Sequence, residues 1–290
     1  SDAYKKLIDY CNEQDSIKTY TDIILGLPND TKDKHFESIR FSINNDVNSI
    51  RMHQAMMLTG SKMASDSERE KYQLTTKWRT SPGTVGYYKI LDKKYPIAEM
   101  DEIIISTKSL SHKDYLDCRL MNLIVETFYN NAIFFEIFGL IKSMKLDSIE
   151  LLTYIKNHPE LYTKKIREIF NEFISETTED LYNTREEAQD TVLSPKMIEK
   201  YINGELGYNE LLAGRDHLFN NYDDLINLLF KATNELFKEK KLLSKSVEKY
   251  LAELKVFISI QKKDPLKDIE SIRSGEFTYD FKSISEMKFK

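Results

Sequence analysis

The sequence predicts an α+β or α/β protein, with an α/β segment over residues 1–110 followed by a mostly α-helical domain over residues 111–290. An apolar run rich in β-branched residues, 23–25, is closed by Gly26 and Pro28, which is typical of a buried parallel strand. A helical pattern and a second strand pattern follow it directly, and this succession favours an α/β segment. Beyond residue 110, apolar residues recur at helical spacing while Gly and Pro are sparse, which favours helices.

The composition is that of a soluble globular chain, with 41% hydrophobic and 31% charged residues. The net charge of −5 argues against a nucleic-acid-binding surface. The most apolar stretch, residues 120–146, is interrupted by amide and charged side chains, so we expect a buried core helix rather than a membrane span. The only two cysteines, Cys11 and Cys118, form neither a disulfide framework nor a zinc site and fit a reduced, cytoplasmic setting. The sequence therefore predicts no nucleic-acid partner, no membrane partner and no metal ligands.

The first elements of the chain are a helix, a strand and a second helix. Tyr4, Leu7 and Ile8 lie at helical spacing within residues 2–12, so a helix is expected to lead into the strand at residues 20–25. Gly26 permits a close approach of the backbone after that strand, and Pro28 fixes the exit angle of the chain. Asp30 or Thr31 is positioned to cap the helix that follows, Lys32–Asn44.

The second strand is predicted over residues 47–56, and it carries polar residues on both of its faces. This pattern is unusual for a buried parallel strand and indicates that one face borders a polar cavity. Barrel interiors carry active sites at the carboxyl ends of their strands. Arg51, His53 and Gln54 are therefore candidates for substrate contacts. A hydrogen-bonded core histidine is an alternative interpretation of His53 that the sequence leaves open.

The remaining elements are short strands followed by a long helical region. Strands are predicted near residues 87–90 and 97–106, after a loop rich in turn-forming residues at 80–86. Ser111 is predicted to open a long helix in the manner of a capping box, with Asp114 in the Glu position. Amphipathic helices then continue to residue 260 without a fixed repeat period. The last segment, residues 275–284, alternates aromatic and polar residues and predicts a half-buried strand that pairs with a sheet edge or extends a hairpin.

Three short motifs carry a resemblance to a known superfamily. TDIILGLPNDT at residues 21–31, followed by a helix, a strand and MMLTGSKMA at residues 56–64, resembles the later barrel strands of radical S-adenosylmethionine (SAM) enzymes. REKYQLTTKWRTSPGTVGYY at residues 69–88 is similar to the stretch that follows the barrel in the cobalamin-associated members. The resemblance covers about residues 3–130, and its specificity lies in several short motifs that recur in the right order.

The sequence also departs from the superfamily pattern. Asn29-Asp30 stands where Gly-Glu is usual, and Thr59 stands where Pro is usual. The CxxxCxxC loop that holds the iron–sulfur cluster is absent. We therefore infer that the chain is the C-terminal fragment of a longer enzyme, whose earlier strands and cluster cysteines would precede residue 1.

The resemblance implies a partial, TIM-like half barrel that contributes part of the SAM and substrate side of the site. It implies SAM and a [4Fe–4S] cluster as cofactors of the whole protein and leaves open whether cobalamin is a third, with none bound tightly by this chain alone. The chain alone is accordingly expected to be inactive, because the cluster supplies the hard chemistry. The residues that the resemblance assigns to SAM are Ile24, Gly26, Leu27, Pro28 and Met52, beside the substrate candidates Arg51, His53 and Gln54.

A second hypothesis belongs to a different class of function. Residues 111–290 could form a helical module that binds a partner protein or a carrier-bound substrate, with the α/β segment vestigial and no catalysis. A barrel cut before its fifth strand would also leave residues 20–25 with an unpaired edge, which invites self-association. Coverage of that edge by the strand predicted at residues 275–284 is the competing expectation.

Overall fold

The computed structural model describes residues 2–14, 17–179, 181–261 and 275–286, and these form an α+β fold. Short strands and a few helices occupy the first part of the chain, and helices make up most of the rest. The elements up to residue 106 are α1 (Asp2–Asn12), β1 (Tyr20–Leu25), α2 (Lys32–Asn44), β2 (Ser49–Gln54), α3 (Asp66–Tyr72), β3 (Thr75–Thr80), β4 (Gly86–Ile90), β5 (Lys93–Ile97) and β6 (Met100–Ser106).

The helical region contains ten further helices in the described part of the chain. They are α4 (His112–Phe128), α5 (Phe135–Ser143), α6 (Ser148–Asn157), α7 (Lys164–Glu179), α8 (Arg185–Val192), α9 (Pro195–Ile202), α10 (Glu210–Phe219), α11 (Tyr222–Glu239), α12 (Lys245–Gln261) and α13 (Phe281–Glu286). The helical content predicted beyond residue 110 is thus confirmed. Within the described residues, no helix is both long and apolar enough to cross a membrane.

The two predicted parallel strands are confirmed. β1 pairs with β2 in parallel, from Tyr20 opposite Ser49 to Leu25 opposite Gln54. Just after β2 the chain forms an antiparallel bridge to β6. The Met57 N–H donates to the Glu102 carbonyl oxygen at 2.7 Å. β6 pairs in turn with β3, also antiparallel. The described strands thus form three two-stranded sheets, β1–β2, β3–β6 and β4–β5, the first two linked only by the bridge after β2, and they do not close into a barrel.

The outer edge of β2, away from β1, is occupied at Ile50 by a side chain rather than by a strand. The Ile50 N–H donates to Asn130 Oδ1 at 2.9 Å, and Asn130 Nδ2 donates to the Ile50 carbonyl at 2.9 Å. An amide side chain can satisfy both backbone groups of one residue in this way because it carries a donor and an acceptor side by side. Asn130 is itself fully buried and also donates to Glu126 Oε2.

The main hydrophobic core joins the sheet to the helices. α2 packs against β1, α4 and α6, and its Ile39 and Ile43 share a cluster with Ile50 and Met52 of β2. The same cluster extends through α4, α6, α7, α11 and α12 as far as Phe281. Residues on both sides of position 110 therefore contribute to one core, and the division into two domains there stays a prediction.

The predicted helix starts at Thr31 and Ser111 are confirmed by their capping bonds. Thr31 Oγ1 accepts from the Lys34 N–H at 3.2 Å and caps α2. Ser111 Oγ accepts from the Asp114 N–H at 3.1 Å and caps α4. A side-chain oxygen at this position satisfies one of the backbone donors that the first helical turn leaves unpaired.

The strand predicted at residues 275–284 is wrong. Residues 275–280 are irregular and are followed by helix α13, at whose start Asp280 Oδ1 accepts from the Ser283 N–H at 3.0 Å. The aromatic residues pack on α12 instead of on a strand, with the Phe277 and Phe281 rings 5.7 and 5.2 Å from the Phe257 ring. The alternation indicates which residues are buried but not what they pack against, and here they pack against a helix.

Candidate functional site

The candidate site is an open groove beside the free edge of β1. It has a volume of about 740 Å³ and lies between α1 and α2, with β1 and the loop after β1 as its floor. Ile24, Leu27 and Pro28 line it from the strand and the loop. Tyr4 of α1 and Phe41 of α2 close the far end, with ring centroids 5.6 Å apart. The groove therefore offers a mixed lining next to an unpaired strand, in which these apolar side chains stand beside polar and charged ones such as Lys34 and Glu37.

The sheet formed by β1 and β2 is covered by helices on one face only. Since paired residues of parallel strands share a face, the register places Tyr20, Asp22 and Ile24 on the same face as Arg51 and His53. All five are exposed, and we call this surface the open face. On the opposite face, Ile50 and Met52 are buried against the helices. The base of the site is thus a two-stranded sheet with one buried face and one solvent-exposed face.

Two cross-strand contacts order the polar groups of the open face. His53 Nε2 lies 3.1 Å from Asp22 Oδ1, and the Arg51 guanidinium lies 4.0 Å from the centre of the Tyr20 ring. At such exposed sites ion pairs and cation–π contacts contribute at most about 1 kcal/mol each, so they orient the side chains more than they stabilise the fold. With 57% of its side chain exposed, His53 is not the core histidine of the alternative interpretation.

The carboxylate of Asp30 bridges the two ends of the loop from Gly26 to Thr31. One carboxylate oxygen of Asp30 accepts from the Gly26 N–H at 3.3 Å and the other from the Thr31 N–H at 2.9 Å. Ser109 donates to the Asp30 carbonyl at 2.6 Å and so ties the loop to the chain that leads into α4. Asn29 has φ of 65°, in the left-handed region that Gly, Asn and Asp tolerate best. This geometry accounts for Asn at a position where the radical SAM pattern has Gly.

Gly26 is required by the neighbouring strand. Its φ is 96°, and a Cβ built on it would lie 3.3 Å from the Ile104 carbonyl oxygen of β6. The resemblance implies that this glycine gives clearance to a cofactor, whereas the structure places the backbone of β6 beside it. The close approach of the loop after β1 to β6 therefore depends on the absence of a side chain at Gly26.

We expect Gly26→Ala to lower the free energy of unfolding by about 1–3 kcal/mol, because it combines a strained left-handed backbone with crowding against β6. Gly60→Ala is the matched control, since Gly60 has φ of 80° and no atom within 4 Å of the added carbon. Urea denaturation of both variants measures the difference. Equal losses would show that backbone strain acts alone and that contact with Ile104 contributes nothing.

The structure brings together some of the predicted site residues and separates others. Ile24, Leu27 and Pro28 meet at the groove, and Arg51 and His53 meet on the open face. Met52 lies in the hydrophobic core, and Gln54 donates to the buried Tyr115 hydroxyl at 2.6 Å. We therefore omit these two from the candidate site. Asp22 and Tyr20 were missed, although aligning the two strands in parallel would have placed them opposite Arg51 and Ser49.

The cysteines do not fit an iron–sulfur cluster. Cys11 is half-buried on α1, while Cys118 is fully buried in α4 among Leu25, Ile103 and Tyr115. Burial raises the pKa of the Cys118 thiol to about 12, so it stays protonated at neutral pH, whereas metal ligation needs the thiolate. The residues that the structure describes contain no group of three His, Cys, Asp or Glu side chains that could hold a metal ion.

A buried ionic cluster lies away from the groove, where α4, α10 and β3 meet. Glu210 Oε1 accepts from Arg119 Nη2 at 2.7 Å and from Arg79 Nη1 at 3.2 Å. Arg119 is only 3% exposed, so its charge depends on this carboxylate. Burial raises the pKa of Glu210, but the nearby Arg119 and Arg79 guanidinium groups outweigh it and hold the pKa below its usual range. The cluster therefore stays ionised and connects three elements of the fold.

No protein-family model matches this sequence, and none of the curated proteins compared with it does.

Proposed function

We propose that the chain is the C-terminal part of a radical SAM enzyme of the cobalamin-associated type. In this proposal β1 and β2 are two neighbouring strands of a half barrel, and the chain contributes part of the SAM and substrate side of the site together with a helical accessory region. The observation that carries the proposal is the one-sided covering of the β1–β2 sheet. Barrel sheets have helices outside and alternate side chains inside, so an incomplete barrel would show one face packed and one face open.

The free edge of β1 supports the same proposal. Among the described residues no strand pairs with it, and the groove of about 740 Å³ runs along it. A preceding parallel strand of a barrel would occupy this position. The parallel pairing of β1 and β2 through α2 is the strand–helix–strand unit from which such barrels are built.

The groove and the open face would have different roles. Ile24, Leu27 and Pro28 offer an apolar surface for an adenine ring, at the carboxyl end of β1 where α/β folds bind ligands. Arg51 and His53 would contact the substrate, and Asp22 would orient His53. In the whole enzyme the cluster, with its own cysteines, would supply the electron that cleaves SAM. The residues of this chain bind and orient, and no chemical step is assigned to them.

The SAM proposal is tested by isoleucine-methyl NMR of the 290-residue chain during titration with S-adenosylmethionine. We expect the Ile24 methyl signal to shift, because Ile24 lines the groove, and the Ile39 signal to stay fixed, because Ile39 is buried in the core. Methionine without the adenosine group is the ligand control. An unchanged Ile24 signal, or an equal shift with methionine, would contradict adenosine binding at the groove.

The coding sequence before residue 1 separates this proposal from the alternative. An in-frame CxxxCxxC, especially after a cobalamin-binding domain, supports the radical SAM enzyme. An initiating methionine close to Ser1 instead supports a helical interaction module, in which residues 111–290 bind a partner protein.

Self-association through the free edge of β1 is a further part of the proposal. The competing covering by residues 275–284 is not available, because the aromatic residues of that segment pack on α12. We expect the mass measured by light scattering to rise above 34.1 kDa with concentration. Ile24→Lys should prevent the rise, since a lysine on an edge strand disfavours pairing. Val256→Lys, at an exposed position on α12, is the control. A monomer at every concentration would contradict edge-mediated association.

A further inference from the structure

The hairpin formed by β4 and β5 exposes apolar side chains to solvent. Every residue from 87 to 96 is exposed, and only Gly86 and Ile97 at the base are half-buried. At the tip, Leu91 is 89% exposed and the adjacent Ile90 is 59% exposed. β4 contacts α9, and this contact leaves the tip of the hairpin uncovered. Two large aliphatic side chains at its tip therefore point to a partner that covers them.

The two faces of the hairpin differ in chemistry. Tyr88 lies opposite Tyr95 on one face, beside Ile90, and the second face has Lys89 directly opposite Lys94. Like charges opposite each other destabilise a hairpin. In the described part of the chain no salt bridge involves Lys89, Lys93 or Lys94. An anionic partner would remove this repulsion.

The charge of the hairpin is opposite to that of the chain. Between residues 86 and 97 there are three lysines and one acidic residue, Asp92, whereas the whole chain has a net charge of −5. The lysines surround the aliphatic tip, with Lys93 paired opposite Ile90 and Lys89 just before it. An anionic partner with an apolar interior matches this arrangement of charge and apolar surface.

We propose that this hairpin docks on the surface of an anionic phospholipid bilayer. Leu91 and Ile90 would enter the acyl boundary, Tyr88 and Tyr95 would lie at the level of the headgroups, and the lysines would reach the lipid phosphates. At membrane surfaces, tyrosines typically lie at the level of the headgroups. Lysines beside an apolar region extend their side chains towards the interface. Single-stranded nucleic acid fits less well, because its bases stack on aromatic side chains and the most exposed residue here is aliphatic.

This proposal departs from the expectation of no membrane partner. That expectation came from the most apolar helical stretch, residues 120–146, which is indeed part of the core. Hydropathy along a helix gives no information on a hairpin whose apolar residues are few but exposed. Docking at a surface also requires no membrane-spanning helix.

The test is co-sedimentation of the 290-residue chain with phospholipid vesicles. We expect binding to vesicles of phosphatidylcholine mixed with phosphatidylglycerol, little binding to phosphatidylcholine alone, and weakening of the binding with added salt. Lys93→Glu with Lys94→Glu should reduce partitioning by about 25-fold or more, since each lysine near an anionic surface contributes about fivefold. Leu91→Ser should reduce it by about tenfold or more through lost apolar burial.

Matched controls separate the hairpin from the rest of the surface. Lys164→Glu with Lys165→Glu changes a consecutive lysine pair on α7, both members of which are largely exposed. Val256→Ser removes an exposed aliphatic residue from α12. Both should bind vesicles as the original chain does. The Lys94→Glu change places a carboxylate opposite Lys89, which favours the hairpin itself, so a loss of binding does not reflect a lost hairpin.

Three results would overturn the proposal. The first is equal sedimentation with neutral and anionic vesicles, and the second is unchanged vesicle binding by the hairpin variants. The third is that the hairpin variants change only the binding of a single-stranded oligonucleotide, or only the mass of the chain without vesicles. That result would assign the hairpin to nucleic acid or to a second copy.

Discussion

Replacing Glu210 by alanine is expected to lower the free energy of unfolding by about 3–5 kcal/mol, because it leaves two guanidinium groups without their shared carboxylate. Arg119 cannot move into water to compensate, since it is only 3% exposed between α4 and α10. Glu210→Gln keeps an oxygen that can accept from both arginines but removes the negative charge, and should cost less than the alanine variant. Urea denaturation followed by circular dichroism measures both changes.

The same carboxylate produces a dependence on pH. The pKa of Glu210 is lower in the folded chain than in the unfolded chain, so its stabilisation is complete above the unfolded value of about 4.3. It is lost as the pH falls through the folded value. The difference in stability between the original chain and Glu210→Ala should therefore be constant at neutral pH and shrink below about pH 4.

Glu37→Ala is the control for this prediction. Glu37 accepts from Arg40 Nη1 at 2.8 Å, but both side chains are exposed, and such pairs contribute about 0–1 kcal/mol. A loss for Glu210→Ala as small as that for Glu37→Ala would show that the buried cluster is solvated or replaced by other contacts.

Asn130→Leu is expected to destabilise the protein by about 2–5 kcal/mol. Leucine has a similar volume but leaves the Ile50 N–H and carbonyl without partners inside the core, at about 1–3 kcal/mol for each group. It also removes a hydrogen bond to Glu126, which lies 2.9 Å from Arg215 Nη1 through its other oxygen. The loss therefore extends from the sheet into α4 and α10.

Amide hydrogen exchange at Ile50 measures this effect locally, and urea denaturation measures it globally. The Ile50 amide should exchange much faster in Asn130→Leu, because its hydrogen-bond acceptor is gone. Asn234→Leu is the matched control, since Asn234 Nδ2 donates only to the Phe230 carbonyl one turn earlier in α11. Unchanged protection of Ile50 would mean that another group or a water molecule replaces the amide.

The elements that could be predicted from the sequence are those whose signals are local. The apolar run closed by Gly26 and Pro28 gave β1, and the capping residues Thr31 and Ser111 gave the starts of α2 and α4. Each depends on neighbours within a few residues, so a single sequence contains the information.

Long-range contacts account for what was missed. β3 was not predicted, because its residues become a strand only by pairing with β6 and, at Trp78, with Tyr182. The sequence also does not reveal which face of β2 the helices cover. The resemblance assigned Met52 to the cofactor although it lies in the core, and the exposed Asp22 was overlooked. Alternation along a strand separates two faces but does not identify the buried one.

The two edges of the β1–β2 sheet are not equivalent, and this gives its extension a direction. On the β2 side, Asn130 occupies the edge at Ile50, and β6 occupies the continuation after residue 54. On the β1 side, the described residues supply no partner strand. An additional strand can therefore join only beside β1. If it joins in parallel, its carboxyl end comes level with Leu25, and whatever loop follows it meets Leu27 and Pro28 across the groove. Among the described residues the sheet can thus be extended on one side only, and an added strand would border the groove.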